Sequence, residues 1–153
     1  MPLFRVLFAS ALLLLSVVAP AWAQSPGGRQ VIKTDQAPVP TAPYSQAIKA
    51  NGFVFVAGQV GLDPKTRQLV AGGFEQETTQ VMKNIEAILA AAGLGFADVV
   101  NTTIYLKDVG NFAKVNEIYG RYFTGDYPAR TTVGVAALPG NANVEIAVVA
   151  VAR

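Results

Sequence analysis

The sequence predicts an α+β domain in which two helices pack on one face of a mixed β-sheet. Hydrophobic periodicity divides the chain into eight elements in the order β-β-β-α-β-α-β-β. Each helical stretch carries one apolar stripe and so has one face to bury. The strands at 53–57 and 144–151 are instead apolar at nearly every position, which is typical of strands covered on both sides. Two helices can cover one face only, so the other face must find cover elsewhere.

The first 23 residues are interpreted as a secretory signal and not as part of the fold. Arg5 provides a positive start, residues 6–18 are apolar apart from two serines, and Ala21-Trp22-Ala23 is a typical cleavage site. An uncleaved anchor is the alternative, but the apolar run is shorter than the roughly 20 residues that a spanning helix needs. We therefore expect export, to the periplasm in a bacterium. Residues 24–30 would form a flexible mature N-terminus and residues 31–153 a single domain.

Composition excludes several classes of function. The chain has 12 Lys and Arg against 10 Asp and Glu, and loss of Arg5 with the signal leaves 11 against 10. This balance provides no basic surface for nucleic acid or anionic membrane. Histidine and cysteine are both absent, which removes the usual zinc and copper sites, Ser-His-Asp triads, thiol nucleophiles and iron–sulfur clusters. We expect no metal and no cofactor, and a chemistry based on carboxylates, arginine, lysine, the hydroxyls of Tyr, Ser and Thr, and backbone groups.

The N-terminal half is predicted to form three strands. Residues 31–33 begin a short strand, and three prolines between 38 and 43 then keep the chain extended or turned. A strand at 44–50 and a strand at 53–57 flank Asn51-Gly52, a strong hairpin signal. Gly58 follows directly, where a glycine would permit close approach of a ligand or another backbone; a bulge or strand end explains it equally well.

The C-terminal half is predicted to hold both helices and three further strands. Helix one covers 74–92, and its stripe consists of Val81, Ile85, Ile88, Leu89 and Ala92. A β-branched strand at 98–106 precedes helix two at 111–123, and strands at 131–136 and 144–151 complete the domain. Asn116 lies one position off the apolar stripe of helix two, so it faces either solvent or a site.

Two charged residues stand out in the last two strands. Pro128 makes the chain stiff just before Arg130, and a guanidinium held in this way matches a carboxylate as a planar fork. Glu145 is the one charged residue inside an apolar strand, where an ionised carboxylate is costly unless it is paired. If the two strands form a hairpin, both side chains could point into one pocket. A solvent-exposed arginine and a purely structural buried ion pair are the alternatives.

Short motifs along residues 31–153 resemble the Rid (YjgF-like) family of reactive-intermediate deaminases. The residues that carry the resemblance are Ala42-Pro43-Tyr44-Ser45-Gln46-Ala47, Ala57-Gly58-Gln59, Asp63-Pro64-Lys65-Thr66, Asn84-Ile85, Ala91-Ala92-Gly93, Lys107-Asp108, Phe112 with Asn116, Tyr122-Phe123, Tyr127-Pro128-Ala129-Arg130 and Val144-Glu145-Ile146. The resemblance implies a chorismate-mutase-like fold and a homotrimer with sites at the subunit interfaces.

The resemblance also implies an activity, the hydrolysis of 2-aminoacrylate-like enamines and imines to 2-oxo acids and ammonia, as in a 2-iminobutanoate/2-iminopropanoate deaminase. By position, Arg130 would bind the substrate carboxylate and Glu145 would hold the attacking water. The pocket would be completed by Tyr44, Gly58, Asn116 and the backbone around Thr131 and Thr132. An imine is already electrophilic, so positioning and one oriented water suffice.

Three positions depart from the family pattern. Ala57 stands where active members carry a serine, Thr132 where they often carry a cysteine, and Arg67 where a turn glycine is usual. The first two alter polar contacts of the implied pocket. One alternative to an enzyme is a non-catalytic protein that binds small carboxylates, favoured by Ala57 and by secretion. The other is a protein-interaction or chaperone-like role, suggested by the apolar content alone.

Overall fold

The structure is a computed structural model that describes residues 28–152. The predicted signal at 1–23, residues 24–27 and the C-terminal Arg153 lie outside the described residues. Within the described range, no helix has the length and apolar character needed to cross a bilayer.

The described residues form six strands and two α-helices in the predicted order. The strands are β1 (Gln30–Ile32), β2 (Ala47–Ala50), β3 (Phe53–Val60), β4 (Val99–Leu106), β5 (Ala129–Gly134) and β6 (Val144–Val151), and the helices are α1 (Phe74–Ala91) and α2 (Phe112–Gly120). Helix α1 ends within one residue of its predicted end, with Gly93 at positive φ just beyond it. Helix α2 is shorter than predicted at both ends. It begins at Phe112, because a separate 3-10 turn at Val109–Asn111, capped by the Asp108 side chain, precedes it, and it ends at Gly120, three residues before the predicted end.

All six strands belong to one mixed sheet in the order β1-β2-β3-β6-β4-β5. Only β4 and β5 are parallel, as expected for strands joined through a helix, and every other neighbouring pair is antiparallel. The last strand, β6, lies between β3 and β4 rather than beside β5. The predicted hairpin of the strands that carry Arg130 and Glu145 is therefore wrong. Burial explains the difference, because a hairpin would put the most apolar strand of the chain near the sheet edge.

Both helices lie on the same face of the sheet, and the hydrophobic core lies between the helices and the sheet. The buried stripe of α1 matches its prediction closely, since Val81, Ile85, Ile88 and Leu89 are all fully buried. The sheet meets them with alternate residues of its central strands: Val54, Val56, Ile104, Leu106, Ile146 and Val148. Each such side chain contributes roughly 1.5–3 kcal/mol by leaving water.

The opposite face of the sheet, here called the open face, is not covered by any element of residues 28–152. Phe53 and Phe55 of β3 are 41% and 49% exposed, and Val133 of β5 is 40% exposed. Residues 53–57 were expected to be buried on both faces, but the two described helices cover only the side of Val54 and Val56. The two exposed rings lie 6.2 Å apart and form an apolar patch, of the kind that marks an interaction surface.

Candidate functional site

Arg130 lies on the helix side of the sheet. Its partner across the parallel ladder is Thr102, which is fully buried and accepts a hydrogen bond from the Tyr119 hydroxyl at 3.0 Å. Burial raises the pKa of Tyr119 above its usual range, which keeps this hydroxyl protonated as a donor. Helix α2 thus packs directly beside the arginine.

Three side chains of α2 surround the Arg130 guanidinium. Its Nη2 donates to Asn116 Oδ1 at 2.7 Å, and its Cζ lies 5.0 Å from the ring centroid of Tyr119 and 5.9 Å from that of Phe112. Residues 112, 116 and 119 share one helix face, at spacings of four and three. Asn116 therefore faces the arginine and not open solvent. In the sequence analysis, Phe112 was quoted as a motif residue together with Asn116, and Tyr119 was not singled out. The spacing of both rings relative to Asn116 was the signal for this role.

The positive charge of Arg130 is not neutralised within the described chain. The ion pairs found among residues 28–152 join Lys114 to Glu75 and Arg121 to Glu117. Arg130 instead borders a cleft of about 460 Å³, lined by Asn116, Tyr119, Gly120, Tyr127, Pro128 and Arg130 itself. A guanidinium has five donors, and Asn116 takes one of them. The others are available to an anion, which the planar fork would hold through two hydrogen bonds.

Thr131 and Thr132 of β5 point to opposite faces. Thr132 pairs with Ile104 and therefore shares the helix side with Arg130, whereas Thr131 pairs with Thr103 on the open face. The Thr132 Oγ1 is buried and has no hydrogen-bond partner among the described residues. Leaving such a hydroxyl unsatisfied costs about 1–3 kcal/mol, so Thr132 would gain from a ligand or a neighbouring subunit. Strand β5 is also an edge strand of the sheet, so the backbone groups on its outer side have no partner strand among the described residues.

Glu145 lies on the open face. Its neighbours Val144 and Ile146 are fully buried on the helix side, and it pairs with Tyr105 of β4 and Val60 of β3. Burial raises the pKa of the Glu145 carboxyl above its usual range. Among residues 28–152, no side chain or backbone group donates a hydrogen bond to it. Such a carboxyl is able to exchange a proton or orient a water molecule.

Gly58 makes room for this carboxylate. A Cβ built on Gly58 would lie 1.9 Å from Glu145 Oε1, so no other residue fits there without moving Glu145. Gly58 belongs to a bulge, since the register of β3 against β6 shifts between Val56 and Gln59. The side chain of Gln59 donates to the carbonyl of Ala57 at 3.0 Å and helps to hold the bulge. The close approach that the sequence suggested for Gly58 is made by a side chain of the same chain.

Tyr44 lies apart from both groups in a loop before β2, with 51% of its surface exposed. It lines a separate cleft of about 550 Å³ together with residues such as Val31 and Val39. The buried Gln46 side chain holds this loop, because its carboxamide accepts from Thr34 N at 2.8 Å and donates to Pro38 O at 3.0 Å. Sequence reasoning quoted Gln46 only as part of a motif.

Arg130 and Glu145 do not meet within one chain, because the hairpin on which a common pocket in one chain depended does not form. Strand β4 separates their strands, and they pair with Thr102 and Tyr105, which point to opposite faces of β4. The chain therefore presents two half-sites. The arginine half-site comprises Arg130, Asn116, Tyr119, Phe112 and Thr132, and the glutamate half-site comprises Glu145 and Gly58. No group of three or more potential metal ligands occurs in the described range.

Comparison with known proteins gives consistent matches. A family model described as endoribonuclease L-PSP matches residues 34–152. A 2-iminobutanoate/2-iminopropanoate deaminase from Mus musculus is 50% identical over 123 residues, which cover 80% of this chain and 91% of the mouse protein. The crystal structure of YyfA from Yersinia pestis, a Rid family protein of unknown function, matches with a TM-score of 0.79 and 46% identity over 81% of this chain and 99% of that one. TdcF from E. coli with bound serine matches with a TM-score of 0.77 and 33% identity, over 81% of this chain and 99% of that one.

Proposed function

The chain belongs to the Rid (YjgF-like) family, and from this premise we propose that it hydrolyses reactive imino and enamino acids to 2-oxo acids and ammonia. The observation that carries the proposal is the unneutralised guanidinium of Arg130 at the border of a cleft. Substrates of this class carry one carboxylate, which the arginine would bind. The mouse relative is named for this activity, and the bound serine of TdcF supplies a small amino-acid carboxylate on the same fold.

The active form that we propose is a homotrimer with each site between two subunits. The exposed Phe53 and Phe55 give the open face an apolar surface that another copy would cover. In a cyclic trimer, the arginine half-site of one subunit would lie against the glutamate half-site of its neighbour. Tyr44, on its exposed loop, would lie at the rim of such a site.

In the mechanism that we propose, Arg130 holds the substrate carboxylate and the neighbouring Glu145 acts on water. Glu145 accepts a proton as the water oxygen adds to the imine carbon and returns it to the nitrogen, which gives a neutral carbinolamine. Glu145 then takes the proton of the carbinolamine hydroxyl and passes it to the amino nitrogen. The carbonyl forms as the carbon–nitrogen bond breaks and ammonia leaves, so one imine and one water give one 2-oxo acid and one ammonia. Each step is a proton transfer or an addition at an electrophilic carbon, for which positioning is the main requirement.

The direct test compares Arg130→Ala and Glu145→Gln with the wild-type chain. Imino acids would be generated in situ by an amino-acid oxidase, and the appearance of 2-oxo acid would be followed. We expect Arg130→Ala to lower kcat/KM about 100-fold, since a charge-assisted bidentate contact is lost. Arg121→Ala is the matched control, because Arg121 is exposed at the end of α2 and its one ion pair among residues 28–152 is with Glu117. Wild-type rates in folded Arg130→Ala would refute the proposal.

A non-catalytic protein that binds small carboxylates is the second candidate. Ala57 favours this candidate, because it lies next to Gly58 and lacks the hydroxyl of the serine that the family pattern places at this position. This candidate predicts that the protein binds small carboxylates through Arg130 but does not hydrolyse any imino acid. Turnover that depends on Glu145 would exclude it.

We also propose that the chain is exported and cleaved after Ala23. The support is the n-region, apolar stretch and A-x-A site of residues 1–23. The intact mass of the protein from a bacterial periplasm would then correspond to a chain beginning at Gln24. A mass that includes residues 1–23 would contradict cleavage.

A further inference from the structure

Glu77 of α1 is a buried carboxylate that the site described above does not use. Its side chain is only 5% exposed, and no cation lies within ion-pair distance of it among residues 28–152. Both of its oxygens nevertheless have a donor, and both donors belong to Asn143. Oε2 accepts from the Asn143 backbone N at 2.9 Å, and Oε1 accepts from Asn143 Nδ2 at 2.6 Å.

Asn143 lies at the start of the strand that carries the glutamate half-site. It immediately precedes β6 and is two residues before Glu145. Its carbonyl accepts from the backbone N of Lys107, at the end of β4, at 3.0 Å. Asn143 is therefore hydrogen-bonded to Glu77 of α1 and to Lys107 at the end of β4.

Helix α1 also contacts the other strand that borders Glu145. A Cβ built on Gly61 would lie 2.8 Å from Glu77 Cα, so the helix backbone rests directly on the end of β3. Asn84, two turns later in α1, donates to the carbonyls of Val60 and Leu62 at 3.2 and 3.0 Å. Through these contacts, the first turns of α1 hold together the end of β3 and the start of β6, the two strands between which Gly58 and Glu145 meet.

We propose that Glu77 is a positioning residue that sets the start of β6 so that the Glu145 carboxylate lies against Gly58. This role rests on the proposed function. Burying an anion without a cation is costly, although the N-terminal turn of α1 offsets part of this cost. An apolar side chain would be easier to bury, but it would leave two donors of Asn143 without an acceptor.

The test uses the full chain and compares Glu77→Leu with Glu77→Gln. The leucine variant removes both acceptors, and we expect kcat for imine hydrolysis to fall about 10- to 100-fold, because small displacements of a reacting group are costly. KM should stay within about twofold, since Arg130 is untouched. Glutamine can restore both bonds, because its carbonyl accepts from Asn143 N and its amide donates to Asn143 Oδ1 after that side chain flips. Most of the rate should therefore return.

Thr78→Val is the matched control for general loss of stability. Thr78 is fully buried beside Glu77, and its hydroxyl donates to Phe74 O at 2.8 Å without touching Asn143. We expect this variant to unfold at a lower temperature but to keep its kcat. Hydrogen exchange at residues 143–146 should accelerate in Glu77→Leu and not in Thr78→Val.

The possible outcomes separate this role from the proposed function. A kcat in Glu77→Leu within twofold of wild type, or an equal loss in Thr78→Val at the same drop in Tm, would overturn the role of Glu77 alone. If Glu77→Leu does not fold, Asn143→Ala replaces it and is judged by the same split between kcat and KM. No turnover in the wild-type chain would refute the proposed function, and the role of Glu77 with it.

Discussion

The two half-sites differ in how much of each one chain completes. Around Arg130, a single helix supplies a hydrogen-bond acceptor and two aromatic rings, and a cleft is already present. Around Glu145, the chain supplies only the space above Gly58, and no donor reaches the carboxylate among the described residues. Under the proposed function, carboxylate binding would be preorganised in each chain, whereas Glu145 would need the cover of a second chain. Binding and turnover should therefore respond to different substitutions.

Gly58→Ala should break the glutamate half-site and leave the other intact. The added Cβ would overlap Glu145 Oε1 at 1.9 Å, so the carboxylate must move, and we expect kcat to fall about 100-fold. Binding of a small carboxylate, measured by calorimetry, should change little. The control is Gly95→Ala, because Gly95 has an extended backbone and its Cβ would meet nothing within 4 Å. Normal turnover in Gly58→Ala would contradict the assignment of Glu145.

Asn116 provides the reciprocal test on the arginine half-site. Asn116→Ala removes the acceptor that orients the guanidinium, and a hydrogen bond to a charged group contributes about 1.5–3 kcal/mol. We expect Kd for a small carboxylate to rise about tenfold, with a smaller effect on kcat.

Asn116→Asp sharpens this prediction. The new carboxylate would pair with Arg130 and compete with the ligand, so binding should be weaker than in Asn116→Ala. Tighter binding in the aspartate variant would show that the arginine is not the anion site. The Kd values of Asn116→Ala and Asn116→Asp are measured by calorimetry with the same small carboxylate as for Gly58→Ala.

The smallest expected effect is the pH dependence of stability from Glu145. Burial raises the pKa of this carboxyl in the folded chain above its unfolded value, so the folded state binds the proton more tightly. This contribution is present below the unfolded pKa and is lost as pH rises through the folded pKa. Glu145→Gln should therefore be more stable than wild type above this window, and the difference should vanish at lower pH. Thermal unfolding at several pH values measures it, and a difference that grows on acidification would contradict the sign.

Much of the fold was predictable because it depends on local patterns. The apolar stripe of α1 from Val81 to Leu89 repeats with the helical period. Because of this pattern, the end of the helix was predicted to within one residue. Helix α2 was predicted too long mainly at its C-terminal end, because Tyr122 and Phe123 continue the apolar pattern and pack against the core although the helix ends at Gly120. The strand pairing was less accessible, because β6 chooses its neighbours by burial across the whole sheet. No local signal around Val144 indicates that β3 and β4, rather than β5, will flank it.

The amino-acid sequence alone determined the order of the elements and the chemistry available to the site. Without histidine or cysteine, the groups left for chemistry were carboxylates, arginine, lysine, hydroxyls and the backbone, and the family resemblance pointed to Arg130 and Glu145 among them. Only the tertiary structure decided that Arg130 and Glu145 lie on opposite faces of one sheet. The physical reason is that the face of a strand residue depends on its register against a distant partner, and that register is chosen by the burial of the entire core.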